Sequence, residues 1–310
     1  MTRIAVRAML GATLGLSLIA SACGTSGGGS PAASSAPANK GTITVGGFGF
    51  SESAILANIY GKALKGSGYT VNLRLNLGSR EVVEPALEKG DIDLYPGYAA
   101  TELEFLNKGK GEATPDPAAT VTKLNTYLQS KGLIALTPSA AADQNAFAVT
   151  KATADKYKLK NLSDLTASGS QLTLGGPAEC PTRPFCQAGL EKTYGFKFKA
   201  FKALDAGGPL TKAALDKGDI DVGLIFSSDG AIAAKGYTVL ADDKHLQNAD
   251  NVVPVGKAKA LTGDATTVLN SVSAKLTTED LAGMNKKADL DKQDPDQLAT
   301  DWLKSHGFKL

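Results

Sequence analysis

The sequence predicts an α/β protein built as two lobes of similar architecture, and three observations carry that expectation. The word ALEKGDIDL at residues 86–94 recurs as ALDKGDIDV at 214–222, 128 positions later. TVGG at 44–47 returns as TLGG at 173–176, 129 positions later, so two landmarks keep nearly the same separation in both halves. Each half also alternates short β-rich runs with amphipathic helical stretches, the pattern of lobes with largely parallel sheets. A chain of 310 residues, 43% of them hydrophobic, is long enough for cores in two domains of roughly 100 to 150 residues each.

At the start of the chain, Arg3 and Arg7 precede an apolar run over 8–22 that is too short for a comfortable membrane span. The run ends in Ala20, Ser21, Ala22 and Cys23, small residues before a cysteine, similar to a bacterial lipobox. Residues 1–23 are therefore expected to be a lipoprotein signal peptide, with the lipid on Cys23. An ordinary signal peptide with an incidental cysteine is the competing reading, because Ala20 stands where leucine is more usual. Residues 24–40 are almost wholly Gly, Ser, Ala, Pro and Thr, with nothing apolar to bury, and read as a flexible linker. Two of the 33 basic residues lie in the leader, so the remainder balances 31 acidic ones. That balance argues against nucleic acid or polyanions as partners.

In the first unit, 43–48 reads as a strand and 52–64 as a helix ended by Gly66 and Gly68. A strand over 70–77, a helix over 80–88 stopped by Gly90, and a strand over 92–95 follow. The second unit repeats the plan at 172–174, 187–194, 197–203, 210–216 and 221–226. Two segments, 145–150 and 251–255, are candidates for the crossings between lobes and would form a two-segment hinge. This divides the chain into lobe 1, residues 41–146 and 251–310, and lobe 2, residues 147–250. The helices from 277 onward are expected to return to lobe 1.

Cys180 and Cys186 lie six positions apart in a proline-containing loop, and an exported protein meets an oxidising environment. A disulfide is expected. A metal site is the weaker reading, since both histidines lie far away, and a redox pair lacks the CxxC spacing. The paired aspartates Asp91 and Asp93, and Asp219 and Asp221, read as turn and helix-end partners rather than metal ligands. No metal and no cofactor is expected. The lysines of 151–160 read as a solvated face, and Phe105 and Leu106 as core.

Ligands of open α/β sheets sit beyond the carboxyl ends of strands, where helix N-termini present free amides. The residues so placed include Phe48, Ser51, Glu52, Ser79, Arg80, Glu81, Tyr98, Thr101, Asn145, Arg183, Asp205, Phe226 and Ser227. At these positions the chain resembles the glycine betaine/choline-type substrate-binding proteins of osmoprotectant ABC importers. The resemblance runs from about residue 42 to 310 and rests on LGSREVV at 77–83, GDIDLYPGYAAT at 90–101, Arg183, FSSDG at 226–230 and DDK at 242–244. It implies a bilobal type II periplasmic-binding-protein fold, capture by hinge closure and delivery to an ABC permease driven by its ATPase. It also implies a monomer on the extracytoplasmic face of a bacterial membrane, held by the lipid anchor.

A quaternary ammonium has no hydrogen to donate, so aromatic faces surround it, each contributing about 0.5 to 2 kcal/mol. A ligand carboxylate needs Arg or free amides instead. Tyr98 and Phe226 are the expected walls, with Phe48, Phe50, Tyr95 and Phe185 behind them, and Arg183 is the expected anion partner unless it only pairs with Glu179. The family word YPEYTGT stands here as YPGYAAT, and Arg80 brings a second cation, for which Glu52, Glu81 or Asp205 would be partners. A neutral polyhydroxylated or aromatic solute is the alternative cargo. A secreted hydrolase is disfavoured by only two histidines, His245 and His306, and by the lack of GxSxG and HExxH.

Overall fold

A computed structural model describes residues 40–310; the leader, Cys23 and all but the last residue of the linker lie outside the described residues. The chain begins with β1 (Thr42–Gly46), α1 (Ser51–Gly66), β2 (Thr70–Arg74), α2 (Arg80–Lys89), β3 (Leu94–Tyr98), α3 (Ala99–Leu106), α4 (Pro117–Leu128) and β4 (Leu133–Ala135). It continues through β5 (Asn145–Val149), α5 (Lys151–Tyr157), α6 (Leu165–Ser168), β6 (Thr173–Pro177), α7 (Gln187–Tyr194), β7 (Ala200–Leu204), α8 (Pro209–Lys217), β8 (Val222–Phe226), α9 (Ala231–Lys235) and β9 (Thr238–Val239). It ends with β10 (Val252–Lys257), α10 (Gly263–Ser273), α11 (Thr278–Asp289) and α12 (Pro295–Ser305).

The strands form two five-stranded sheets, β2-β1-β3-β10-β4 and β7-β6-β8-β5-β9. Each has a parallel trio and one antiparallel strand beside it, β10 against β3 and β5 against β8. The two sheets thus repeat one topology, as an α/β bilobal architecture requires.

The repeated GDID word explains why both halves fold alike. Gly90 and Gly218 cap α2 and α8 in the left-handed region (φ 92° and 73°), where glycine is unstrained. The aspartate three residues after each glycine then clamps the strand to its neighbour. Asp93 N–H donates to Thr44 O and its carboxylate accepts from Thr44 N–H (2.9 Å), while Asp221 does the same with Thr173 (2.8 Å for the side-chain bond). The isoleucine between them seals each core, because a Cβ on Gly46 or Gly175 would lie 2.5 Å from the δ-methyl of Ile92 or Ile220. The duplicated glycines and isoleucines are therefore one packing unit used twice.

α1 is buried along most of its length because it packs on the first sheet and is covered by α10, α11 and α12. Residues 145–150 and 251–255 are not themselves the crossings. They are β5 and β10, interior strands of their sheets, and the chain crosses in the segments just before them. There Ala142 bridges Asn251, and Asp143 N–H donates to Asp250 O (3.1 Å), so the two crossing segments run side by side. Among the described residues no helix is long and apolar enough to cross a membrane.

Candidate functional site

The carboxyl ends of the parallel strands of both sheets face a shared cavity of about 380 Å³. Its aromatic wall starts on the loop between β1 and α1. Phe48 and Phe50 lie nearly parallel with centroids 5.8 Å apart, and Tyr98, at the end of β3, stands 6.4 and 6.2 Å from them. Phe226 ends β8, the duplicate of β3, and its ring is 5.5 Å from that of Phe50. Equivalent strand ends thus present one ring each, and Phe50 joins them across the lobes.

Two guanidinium groups face the same cavity. Arg80, at the start of α2, donates through Nε to the fully buried Glu102 (2.8 Å) and lies with Cζ 5.1 Å from the Phe48 ring centroid. Arg183 donates through Nη2 to Glu81 of the other lobe (2.7 Å) and lies 5.1 Å from the Phe105 ring. Burial, and then the neighbouring Arg80 charge, push Arg183 below its ordinary value. Both terminal amino groups of Arg80, and Nη1 and Nε of Arg183, have no protein acceptor among the described residues. Two forks with spare donors on one cavity form an arrangement that binds a carboxylate bidentately.

Arg183 is held in place by its loop. The Cys180–Cys186 disulfide closes the segment that carries Arg183, Pro184 and Phe185, all of which line the cavity. Asn145 Nδ2 donates to Phe185 O (3.0 Å) from the first residue of β5.

Acidic groups complete the lining. Asp250 accepts from Thr101 N–H (2.8 Å) and from its hydroxyl, and burial pushes its carboxyl up to about 6. Asp143 accepts from Ser228 N–H (2.9 Å) and Ser227 Oγ (3.2 Å), and burial followed by the Glu52 charge raises it well above the usual carboxylate range.

Of the residues singled out in the sequence, Phe48, Ser79, Arg80 and Tyr98 line the cavity, as do Thr101, Asn145, Arg183 and Phe226. Ser51, Glu52 and Asp205 line an adjoining recess of about 310 Å³ instead. Asp205 accepts from Leu210 and Thr211 N–H (both 2.9 Å), so its carboxylate is taken up by the first-turn amides of α8. Glu81 and Ser227 line neither space and act through Arg183 and Asp143.

Three sequence expectations need correction. Arg80 pairs with Glu102 rather than Glu52, Glu81 or Asp205, since Glu102 is the carboxylate that α3 buries beside it. Arg183 pairs with Glu81 across the lobes rather than with Glu179. Phe105 lines the cavity under Arg183 rather than filling a core, while Tyr95 is fully buried and bonded to Glu84 (3.1 Å). Asp143 and Asp250 escaped sequence reading. Their only signal is an acidic residue just before a strand that is otherwise apolar, in AADQNAF and NADNVV.

Residues 41–305 match the family described as the substrate binding domain of ABC-type glycine betaine transport systems. The chain is 28% identical over 270 residues to the glycine betaine-binding protein YehZ of Escherichia coli, covering 83% of this chain and 88% of that one. It is 28% identical over 288 residues to the carnitine transport binding protein OpuCC of Listeria monocytogenes, covering 87% and 88%. A solved glycine betaine/carnitine/choline ABC transporter structure superposes with a TM-score of 0.67 at 28% identity, over 86% of this chain and 99% of that one.

Proposed function

The chain belongs to the substrate-binding domain family of ABC-type glycine betaine transport systems, a transport family and not an enzyme family, and we propose that its solute is a zwitterionic quaternary ammonium of the glycine betaine or carnitine kind. The observation that carries this reading is the pairing, in one cavity, of two guanidinium forks with spare donors and an aromatic wall of Phe50, Tyr98 and Phe226. The arginines suit a carboxylate. The rings suit methylated nitrogen, and the ionised Asp250 adds a compensating charge. Choline has no carboxylate to engage Arg80 and Arg183, so it should bind more weakly.

Capture follows two-state logic, in which the solute favours closure because it touches both lobes only there. Lobe 1 brings Phe48, Phe50, Tyr98 and Arg80, and lobe 2, which begins at β5 rather than at residue 147, brings Arg183 and Phe226. The side-by-side crossing segments serve as the hinge. The same reading has the chain work as a monomer, lipid-anchored through Cys23 by its flexible linker on the extracytoplasmic face of the membrane, passing solute to a permease and its ATPase without catalysing a reaction.

The arginines that cover the Phe48 and Phe105 faces favour a second reading, a neutral hydroxylated or aromatic solute that stacks on the remaining rings. Calorimetry separates the two. Saturable binding of glycine betaine or carnitine, with choline at least about tenfold weaker as expected for a lost charge-assisted pair, supports the zwitterion. Silence from all three with a response to a polyol, sugar or aromatic compound rejects it.

A further inference from the structure

The seam between the lobes holds a carboxyl pair, Glu52 and Asp143, of which Asp143 also lines the cavity. Glu52, near the start of α1, is 5% exposed and accepts three hydrogen bonds, from the Tyr98 hydroxyl (2.6 Å), Asn285 Nδ2 (2.6 Å) and Ser228 Oγ (2.7 Å). Tyr98 is a wall of the cavity, and Ser228 follows β8 in the other lobe. Asp143, in the first crossing segment and 4% exposed, accepts from the same Ser228 through its N–H (2.9 Å). Ser228 therefore joins the two carboxyls directly, its hydroxyl bonded to Glu52 and its N–H to Asp143. Two buried carboxylates held on one residue with no cation between them repel each other, and a proton on one of them removes that repulsion.

The surrounding charges do not supply a substitute. Asp229, after β8, and Asp289, on α11, are both taken by Lys212 (2.7 and 3.4 Å), and Arg80 is taken by Glu102 (2.8 Å). Asp250, in the second crossing, lines the same cavity as Tyr98 and is held by Thr101. Among the described residues no lysine or arginine pairs with Glu52 or Asp143. Burial raises both carboxyls above their ordinary range, and the Glu52 charge raises Asp143 further.

We propose that Glu52, Asp143 and Ser228 form a latch across the lobes that closes with one proton shared between the two carboxyls, so that solute capture takes a proton from solution. The closed form then binds more protons than an open form whose carboxyls are solvated. Affinity therefore rises as pH falls, over the window between the ordinary carboxylate value and the raised ones, and is lost as pH rises through the raised values. Tyr98 ties the latch to the site, because the hydroxyl that bonds Glu52 belongs to the ring that would meet the solute.

The proposal rests on the reading that the lobes close on a solute, and its test separates the two. Calorimetry of the full-length protein with glycine betaine, in two buffers of different ionisation enthalpy at neutral pH, should show uptake of about one proton, with affinity falling by up to about tenfold per pH unit on raising the pH. Glu52→Gln and Asp143→Asn should each abolish the uptake and flatten the profile; if one fails to fold, the other carries the test. Equal heats in both buffers overturn the latch, as does uptake that survives both variants and vanishes in Asp250→Asn. If glycine betaine does not bind at all, the solute reading fails, and the latch is tested without it. A spin-label distance between the lobes should then lengthen as pH rises in the wild type and stay constant in the variants, and no pH response in the wild type overturns the latch.

Discussion

The two lobes are built from one repeated scaffold yet bring different chemistry to the cavity. The first lobe places Arg80 on the start of a helix, locked against the fully buried Glu102. The second places Arg183 on a disulfide-closed loop whose carboxylate partner, Glu81, is itself 46% exposed and lies in the other lobe. One arginine is therefore part of its lobe's interior, while the other is presented by a covalently tightened loop and meets its partner only across the seam. A duplicated fold can diverge in this way because the clamp of Gly, Ile and Asp that holds each sheet lies away from the strand ends that carry function.

Removing each arginine should break the symmetry of that comparison most sharply. Arg80→Ala leaves Glu102 buried without its cation and should cost about 3 to 5 kcal/mol of stability along with binding. Arg183→Ala strands only the half-exposed Glu81, so stability should change by no more than about 1 kcal/mol while solute affinity falls at least about tenfold. Denaturant unfolding beside calorimetry checks both. Equal stability losses would contradict the assignment of Arg80 to the interior.

Opening the Arg183 loop comes next. The double Cys180→Ser, Cys186→Ser change should lower stability by about 2 kcal/mol through the chain entropy of a short closed loop, and affinity should fall because Arg183 and Phe185 are no longer held. Unchanged affinity would mean that the loop's packing alone positions Arg183.

The smallest effect is expected behind the first lobe's wall, where burial and then the Glu102 charge push the Glu84 carboxyl up to about 7. A raised acid stabilises the fold in its protonated form, and that stability is lost as pH rises from the ordinary carboxylate value through about 7. Glu84→Gln, neutral at every pH, should be more stable than the wild type by on the order of 1 kcal/mol at about pH 8 and no more stable at about pH 5. Thermal melts at the two pH values read this directly.

Much of the scaffold was legible because its signals are local. The Gly that ends a helix, the Ile that fills the space over a glycine and the Asp that clamps a strand all lie within four residues, so a recurring word carried a recurring structure. Tyr98, Phe226 and Arg183 could be found as aromatic or charged residues beyond strand ends. Glu102 was not legible as the partner of Arg80, because a 22-residue separation says nothing about which carboxylate a helix buries beside it. Asp143 and Asp250 face each other only because two distant crossings run side by side, and Phe105 reached the cavity because Arg183 of the other lobe lies over its ring. Each of these depends on tertiary juxtaposition that spacing along the chain does not encode.

The most direct measurement is a crystal structure of the protein with glycine betaine. The account predicts the carboxylate within hydrogen-bonding distance of both Arg80 and Arg183, and the methylated nitrogen against the faces of Phe50, Tyr98 and Phe226. A betaine bound elsewhere, or one whose carboxylate touches neither arginine, would contradict it.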